Sequence, residues 1–336
     1  MTAKPRVLIT HWVHAEVIDR LKSRCEVIAN PTRDTWSREH VLQLAAECEA
    51  LIAFMPDRID EAFLARCARL QIVAAALKGT DNFDVQACER RGVWLTRVAD
   101  LLTEPTADIA MALLLAVTRN LLAGDDHARS GQFRGWRPRL YGTGLTGKTL
   151  GLVGYGEVGR ALARRAVAFG LEVTYSDPMA GPAPGRRVEL AELLVRSDFI
   201  MPLVHLTPAT HHLIDARALA AMKRGAYLVN VGRGSLVDEA AVAEALDAGH
   251  LAGYAADVFE MEDWALEARP REIHPALLAD RGRTFFTPHL GSAVDEVRRA
   301  IALEAAENVL DVVCGRRPRS AINQPRVARP ALSPLA

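Results

Sequence analysis

The sequence predicts an α/β fold built from two doubly wound parallel-sheet domains. Three observations predict it. The chain has 336 residues, 50% of them apolar, which is more than one compact core usually serves. Short β-rich runs alternate with helical stretches from the start of the chain, as in parallel βαβ units. A glycine-rich turn at residues 154–159 opens a second series of such runs.

The first series covers about the first hundred residues. Its predicted strands are RVLIT, CEVIA, ALIAF and LQIVAAA, and its predicted helices are HAEVIDRLKSR, REHVLQLAAEC and EAFLARC. A helix around residues 105–123 follows, and then the loop GQFRGWRPRLYGTGLTG, which is rich in glycine and aromatic residues. We expect this helix to lead into the second domain.

The second series begins with a strand, the glycine turn, a helix and a strand in KTLGLVGYGEVGRALARRAVAFGLEVTYSD. Further strands are predicted at DFIMPLV, AYLVNV, GYAADVF and RTFFTPH. A last helix at about residues 295–314 is expected to return to the first domain. The predicted boundaries are residues 1–101 with 292–336 for the discontinuous domain and residues 102–291 for the inserted one.

Composition excludes several classes of function. Lysine plus arginine and aspartate plus glutamate number 41 each, so no overall charge favours nucleic acid or an anionic membrane. The most apolar run, at residues 109–117, is far shorter than the roughly 20 residues that span a bilayer, and the N-terminus lacks a signal-peptide pattern. Both features predict a cytoplasmic protein.

The five cysteines are odd in number, widely spaced and without a C-x-x-C pair. This spacing argues against a disulfide framework and against a zinc site. We expect no metal and reduced cysteines that serve packing.

A nucleotide site is predicted where Gly154, Gly156 and Gly159 form G-x-G-x-x-G between a strand and a helix. The first glycine allows a tight turn, the second allows a pyrophosphate to approach the backbone, and the third allows close helix packing. Asp177 ends the next strand, where a carboxylate accepts hydrogen bonds from ribose hydroxyls and repels a 2′-phosphate. The predicted cofactor is therefore NAD, although the nearby arginines leave some NADP use open. Those arginines are Arg186 and Arg187. Within the glycine turn, the residues predicted to contact the cofactor are Gly154, Gly156, Glu157, Val158 and Gly159.

Three polar residues follow predicted strands of the second domain. They are Arg233, Glu262 and His289, and the carboxyl ends of strands in an open parallel sheet face the ligand crevice. An arginine binds an oxyanion through two nitrogens, and a histidine paired with a carboxylate carries protons near neutral pH. The set predicts hydride transfer coupled to proton transfer.

The segments NVGRGSLVDEAAVAEAL, GYAADVFE and FFTPHLGSA resemble the signature blocks of the D-2-hydroxyacid dehydrogenases, and the resemblance covers nearly the entire chain. It implies a Rossmann NAD domain inserted into a smaller flavodoxin-like substrate domain, and a homodimer. It also implies Arg233 as the substrate-binding arginine, His289 as the acid/base and Glu262 as its partner, with Glu260 in reserve. Asp257 resembles the aspartate that contacts the nicotinamide amide. The further cofactor contacts it implies are Thr106, Asn230, Val231 and Gly232.

Within that family, longer blocks such as AFMPDRID, AALKGTDNFDVQAC and GYAADVFEMEDW resemble the phosphite dehydrogenases. Lys78, directly before Gly79, adds a second cation to Arg233, and two cations suit a dianion with three oxygens better than a single carboxylate. The resemblance implies that Met55, Trp136, Tyr141 and Arg298 line or brace the substrate pocket. From chemistry alone, two other roles are about as well supported as pocket lining: Trp136 and Tyr141 could pack in the core, and Arg298 could be a surface charge on a helix.

The sequence thus predicts an NAD-dependent oxidation of phosphite to phosphate, with a small oxyanion as its only partner besides a second copy. The alternative is a D-2-hydroxyacid dehydrogenase or glyoxylate/hydroxypyruvate reductase, against which Lys78 argues. A remote alternative is an NAD-sensing binding module like the corepressors that share this fold. Two departures from the family pattern stand near the cofactor: His205 in LVHLT, where a proline is usual, and Gly232, where phosphite dehydrogenases resemble one another in having a cysteine.

Overall fold

The computed structural model describes residues 4–98, 100–181 and 184–325. The chain forms two compact units, Met1–Leu102 with Val294–Ala336 and Thr103–Ala293. The first unit is discontinuous in sequence because the second is inserted into it.

Strands and helices alternate along the described residues. The strands are β1 (Arg6–Ile9), β2 (Glu26–Ala29), β3 (Ala50–Ala53), β4 (Ile72–Ala75), β5 (Trp94–Arg97), β6 (Thr149–Val153), β7 (Glu172–Ser176), β8 (Arg186–Arg187), β9 (Phe199–Pro202), β10 (Ala226–Asn230), β11 (Leu251–Ala256) and β12 (Thr284–Phe286). The helices are α1 (Ala15–Lys22), α2 (Arg38–Ala45), α3 (Glu61–Arg66), α4 (Val85–Arg90), α5 (Thr103–Thr118), α6 (Leu121–Arg129), α7 (Glu157–Ala168), α8 (Leu190–Arg196), α9 (Ala216–Ala221), α10 (Glu239–Asp247), α11 (Pro275–Ala279) and α12 (Asp295–Val313).

The first unit is a parallel sheet with helices on both faces. Its described strands are ordered β2-β1-β3-β4-β5, which is the flavodoxin-like arrangement. Side chains alternate between the two faces of each strand, so Val7 and Ile9 pack with α1 and α12, whereas Leu8 packs with α2 and α3. Both faces are apolar because both are covered, as in all-parallel sheets.

The second unit is also a parallel sheet, with the described strand order β12-β11-β10-β9-β6-β7-β8. Counted from β6, this is the Rossmann order 3-2-1-4-5-6 with one further strand at the edge. On one face α5 and α7 pack over Leu150, Leu152 and Phe199. On the other face α8 to α11 pack over side chains that include Ile200 and Leu228. The predicted fold class of two doubly wound α/β domains is confirmed.

Three elements differ from the sequence-based expectation. The helix predicted at about residues 105–123 breaks, because Asn120 adopts a left-handed backbone with φ of 54° and donates from Nδ2 to the carbonyls of Leu140 and Tyr141. The strands β5 and β8 were not predicted from the sequence. Each lies at the edge of its sheet and pairs with one neighbouring strand, β4 for β5 and β7 for β8.

Among the described residues, no single helix is long and apolar enough to cross a membrane. The helices α5 and α6 together have the length and apolar composition of a membrane span, but they are bent by 66° relative to each other. Four cysteines, Cys25, Cys48, Cys67 and Cys88, are buried in the first unit, as expected for packing residues. Cys314 differs, since it lies exposed just after α12. The cytoplasmic location stays a prediction.

The buried carboxylate of Asp57 should make the first unit sensitive to pH. Its Oδ2 accepts hydrogen bonds from Thr10 Oγ1 at 2.5 Å and Phe54 N at 2.7 Å. Burial nevertheless raises the pKa of Asp57 from 3.8 to about 6. Because the folded state binds this proton more tightly, the stability that Asp57 contributes is present near pH 4 and is lost as the pH rises through about 6.

We therefore expect the free energy of unfolding of the wild type, relative to Asp57→Asn, to fall by about 2 kcal/mol between pH 4.5 and 7.5. Urea unfolding across this range measures it. Asp19→Asn, at an exposed position of α1, serves as the control and should stay parallel to the wild type. Parallel curves for Asp57→Asn would contradict the expectation.

Candidate active site

The glycine turn between β6 and α7 has a separate reason for each glycine. Gly154 has φ of 105°, and a Cβ there would lie 2.9 Å from the backbone of Leu203. A Cβ on Gly159 would lie 2.7 Å from the carbonyl oxygen of Gly154, so the helix packs directly on the turn. Gly156, by contrast, has no heavy atom within 4 Å of its Cβ position, and it caps α7 without a side-chain hydrogen bond. The open space before a helix N-terminus fits a pyrophosphate.

Asp177 lies just beyond β7 and is bound to the glycine turn. Its Oδ2 accepts from Tyr155 N at 2.8 Å and its Oδ1 from Met179 N at 2.8 Å. Burial alone would raise the pKa of this carboxyl, but the backbone donors and the charge of Arg187 bring the pKa below its ordinary value. The carboxylate is thus ionised where a ribose hydroxyl would need an acceptor.

The dyad of His289 and Glu262 is formed in the structure. His289 Nδ1 lies 2.7 Å from Glu262 Oε2. Because an ionised carboxylate only accepts hydrogen bonds, Nδ1 carries the proton in this contact, and Nε2 is left for a ligand. Glu262 Oε1 also accepts from Phe259 N at 2.9 Å, which fixes the carboxylate. The reserve candidate, Glu260, instead directs its carboxylate to Glu239 and His212.

Asp257 holds the loop that carries His289. Its Oδ1 accepts from Thr287 Oγ1 and Leu290 N, each at 2.6 Å, and its Oδ2 accepts from Gly291 N at 2.7 Å. Burial raises the pKa of this carboxyl. His289 itself has a left-handed φ of 55°, a conformation that a non-glycine residue keeps only where its neighbours enforce it.

Thr106, a predicted cofactor contact on α5, lies beside this loop. A Cβ placed on Gly291 would be 3.4 Å from Thr106 Oγ1 and 3.2 Å from Asp257 Oδ2. The structure therefore brings Thr106, Asp257 and the His289 loop together within the second unit.

Arg233 is presented by a tight turn after β10. The buried Asn230 donates from Nδ2 to the Arg233 carbonyl at 2.8 Å and accepts from Gly232 N at 3.1 Å. A Cβ on Gly232 would lie 2.8 Å from the carbonyl oxygen of Pro202. This close approach explains why glycine stands in this chain at the position before Arg233. Val231, which precedes that glycine, is buried.

Two segments join Arg233 to Glu262. The Arg233 segment comprises residues 233–239, and the Glu262 turn comprises residues 259–263. A Cβ on Gly234 would lie only 1.9 Å from the carbonyl carbon of Phe259, so the two backbones touch. Ser235 N also donates to Asp263 Oδ2 at 2.7 Å. The positions of Arg233 and Glu262 are therefore coupled through backbone contact.

In the first unit, three predicted substrate contacts follow two adjacent strands. Met55 comes after β3, and Lys78 and Gly79 come after β4. The side chain of Asn82 donates to the Met55 carbonyl at 2.6 Å and ties these segments together. Lys78 and Met55 are half-buried, and Gly79 is buried.

Arg298 is half-buried, so the alternative that it is an exposed surface charge was wrong. Its guanidinium carbon lies 5.7 Å from the ring centre of Phe54, and burial lowers its pKa. His11, which follows β1, also contacts Phe54, with ring centres 5.3 Å apart. Burial first, and then the charge of Arg298, lower the pKa of His11.

Trp136 and Tyr141 do not pack in the core of the chain. Their exposed fractions are 82% and 75%, so the core-packing alternative was wrong for both. They lie in the irregular loop between α6 and β6, which offers them no strand or helix face. His205, the departure from the family pattern, is exposed as well.

Sequence reasoning missed two groups of residues. His11 could have been found by the rule that selected Arg233, since it directly follows a strand. The pairing of His212 with Glu260 has no such signal, because the two residues are 48 positions apart.

Comparisons with known proteins place the chain. The family model described as D-isomer specific 2-hydroxyacid dehydrogenase, NAD binding domain, matches residues 111–291. A glyoxylate reductase of Thermococcus gammatolerans is 36% identical over 331 residues, which cover 96% of each chain. The chain belongs to the D-isomer specific 2-hydroxyacid dehydrogenase family.

This dehydrogenase family member has similar solved structures. A protein from Thermus thermophilus is similar with a TM-score of 0.86 at 39% identity, covering 94% of this chain and 99% of that one. The NADPH-dependent glyoxylate/hydroxypyruvate reductase of Sinorhizobium meliloti, in complex with NADP and malonate, has a TM-score of 0.83 at 28% identity, covering 98% and 100%.

Membership makes the chain an oxidoreductase with an NAD-binding domain, so the NAD cofactor predicted from the glycine turn is confirmed. The relatives from Thermococcus gammatolerans and Pyrococcus furiosus are glyoxylate reductases, and they give no support to the phosphite specificity expected from the sequence.

Substitution of Gly234 should separate catalysis from cofactor binding. In Gly234→Ala the added methyl group meets the backbone of Phe259 and Glu260. We expect the Glu262 turn to move, kcat to fall at least about tenfold, and stability to fall by about 1–3 kcal/mol. NADH affinity, measured by fluorescence titration, should be unchanged because the glycine turn is untouched.

The matched control is Gly124→Ala, in α6, where no heavy atom lies within 4 Å of the Cβ position. It should keep full activity and gain up to about 1 kcal/mol from helix propensity. Wild-type kcat in Gly234→Ala would mean that the two segments are not coupled.

Proposed function

We propose that the protein reduces a small 2-oxo acid, such as glyoxylate or hydroxypyruvate, to the corresponding 2-hydroxy acid with NADH, and catalyses the reverse reaction. The observation that carries this proposal is the hydrogen bond from His289 Nδ1 to Glu262, on a turn that contacts the Arg233 segment. This arrangement places a proton carrier, His289, and an anion-binding group, Arg233, in the same unit.

Each residue has a definite task in the proposed reaction. Arg233 binds the carboxylate of the substrate through its guanidinium, whose planar nitrogens match two oxygens. His289 donates a proton from Nε2 to the carbonyl oxygen as that oxygen becomes an alcohol. Glu262 orients the imidazole and stabilises its protonated form.

The cofactor is held by the same unit. The open N-terminus of α7 at Gly156 would bind the pyrophosphate, and Asp177 would bind the adenosine ribose. Bound NADH supplies the hydride. Thr106 and Asn230 to Gly232 lie on the elements that would flank it, and we propose them as contacts.

Relatives support this substrate class. Glyoxylate reductases of Thermococcus gammatolerans and Pyrococcus furiosus are each 36% identical over 331 residues. The Sinorhizobium meliloti reductase was solved with malonate, which carries carboxylates like those of the proposed substrates.

The decisive assay follows absorbance at 340 nm with purified protein, NADH, and glyoxylate or hydroxypyruvate. We expect turnover, and we expect Glu262→Gln to lower kcat about 100-fold or more while leaving the KM for NADH unchanged. Glutamine keeps an acceptor for Phe259 N but has no charge to stabilise the imidazolium. Absence of turnover with 2-oxo acids would refute this function.

Phosphite oxidation is a second candidate, favoured by one observation. Lys78 and Arg298 are half-buried cations of the first unit, and a dianion takes more counter-charge than a single carboxylate does. In that reaction water would attack phosphorus, His289 would accept a proton from this water, and the hydrogen of the broken P–H bond would pass as hydride to NAD, which gives phosphate and NADH. NADH formation from NAD and phosphite tests it in the same cuvette format.

Lys78→Ala distinguishes the two candidates. If phosphite is the substrate, kcat/KM for phosphite should fall about 100-fold or more, since a dianion loses one of its counter-charges. Exposed Lys22→Ala serves as the control and should match the wild type. An unchanged kcat/KM for phosphite in Lys78→Ala would remove this lysine from the substrate site.

The homodimer also stays a proposal. The exposed apolar side chains Phe133, Trp136 and Tyr141 are surface that a second copy would cover. Sedimentation velocity of the purified chain measures the assembly.

A further inference from the structure

The Glu262 turn is fixed by a pair of buried carboxylates that take no part in the proposed chemistry. Glu260, at the start of the turn, donates its N–H to Glu239 Oε1 at 2.9 Å. In return, Glu239 N donates to Glu260 Oε1, also at 2.9 Å. This reciprocal pair joins the N-terminus of α10 to the turn that carries the catalytic carboxylate.

Both carboxylates are removed from solvent, with exposed fractions of 3% for Glu239 and 8% for Glu260. Glu239 Oε2 accepts from His274 N at 3.0 Å, and burial raises the pKa of the Glu239 carboxyl. Each of the two carboxylates accepts the backbone N–H of the other residue through its Oε1. The Oε2 of Glu260 needs a donor as well, because an unsatisfied buried charge is costly.

His212 is that donor for Glu260. Its Nε2 lies 2.9 Å from Glu260 Oε2, and its other ring nitrogen, Nδ1, lies 3.9 Å from Asp238 Oδ2. The ring is stacked on His211, with centres 4.0 Å apart. The imidazole thus stands between the carboxylates of Asp238 and Glu260.

The backbone at His212 is held in an unfavourable conformation. Its φ is 49°, in the left-handed region, and its N–H donates to the Ser235 carbonyl at 2.7 Å. Such a conformation costs about 1 kcal/mol or more in a non-glycine residue and persists where surrounding contacts require it. The contacts that require it here lie on the Arg233 segment and the Glu262 turn.

We propose that His212 is a positioning residue for catalysis, which holds Glu262 in line with His289 by binding Glu260. The proposal rests on the function proposed above, since Glu262 acts through His289. His212 touches neither His289 nor Glu262 by hydrogen bond; its effect passes through Glu260 and the two-residue step along the turn to Glu262.

Two substitutions isolate the hydrogen bond. His212→Leu and His212→Gln carry the same left-handed backbone strain and have similar size, but only glutamine can donate to Glu260. We expect His212→Leu to lower kcat about 10- to 100-fold, with the KM for NADH within about twofold of the wild type. His212→Gln should recover kcat to within about threefold.

His250→Leu is the matched control. His250 directly precedes β11, and its Nε2 contacts the carbonyl of Met222, which follows α9. This variant should lose stability through a missing hydrogen bond and keep its kcat. A similar fall of kcat in His250→Leu would mean that general destabilisation explains the result, and would overturn the proposal.

A double substitution tests the route through Glu260. If His212 acts only on Glu260, His212→Leu combined with Glu260→Gln should lower kcat no further than the more harmful single change. Multiplied losses would place His212 on another route and overturn the proposal.

Hydrogen exchange gives a readout that does not depend on turnover. Amides of residues 259–263 should exchange faster in His212→Leu than in the wild type, and at the wild-type rate in His212→Gln. If the wild type reduces no 2-oxo acid, the proposed function fails, and this comparison still decides the positioning role. Equal exchange in all three proteins, or equal loss of kcat in both His212 variants, would overturn it.

Discussion

The carboxylate of Asp257, buried at the carboxyl end of β11, accepts hydrogen bonds from Thr287, Leu290 and Gly291. This interaction determines where His289 stands, since the loop from residue 287 to residue 291 has no helix or strand of its own. The left-handed backbone of His289 is held by these bonds and by its own N–H to the Asp257 carbonyl at 2.8 Å. Once the loop is fixed, Nδ1 reaches Glu262, and Nε2 is the nitrogen that would transfer the proton in the proposed function.

A similar contact recurs at other turns of both units. A carboxylate accepts backbone N–H groups that a turn leaves without partners: Asp177 does so for Tyr155, Asp263 for Ser235, and Asp57 for Phe54 in the first unit. Such acceptors are needed because backbone N–H groups beyond the end of a strand no longer have a partner in the neighbouring strand. A carboxylate in such a turn is partly or fully buried. Burial raises the pKa of Asp57 and of Asp257.

The two proposed substrates make the same demand on the proton carrier. In the proposed function the His289 and Glu262 dyad would serve either a 2-oxo acid or phosphite, because each reaction needs one proton carrier beside a hydride acceptor or donor. The cations Lys78 and Arg298, with His11 beside Arg298, belong to the first unit. Family membership therefore fixes the class of chemistry, whereas the identity of the substrate stays a proposal.

The sequence by itself determined the α/β class, the glycine turn with Asp177, and the places of Arg233 and His289 after their strands. These features are local: a turn requires glycine at given positions, and parallel strands end at one edge whatever the rest of the chain does. Tertiary structure alone decided the exposure of Trp136 and Tyr141, the partial burial of Arg298, and the contact of His212 with Glu260. Each of these depends on which distant segments pack together, and packing between residues far apart in the chain leaves no periodic pattern in the sequence.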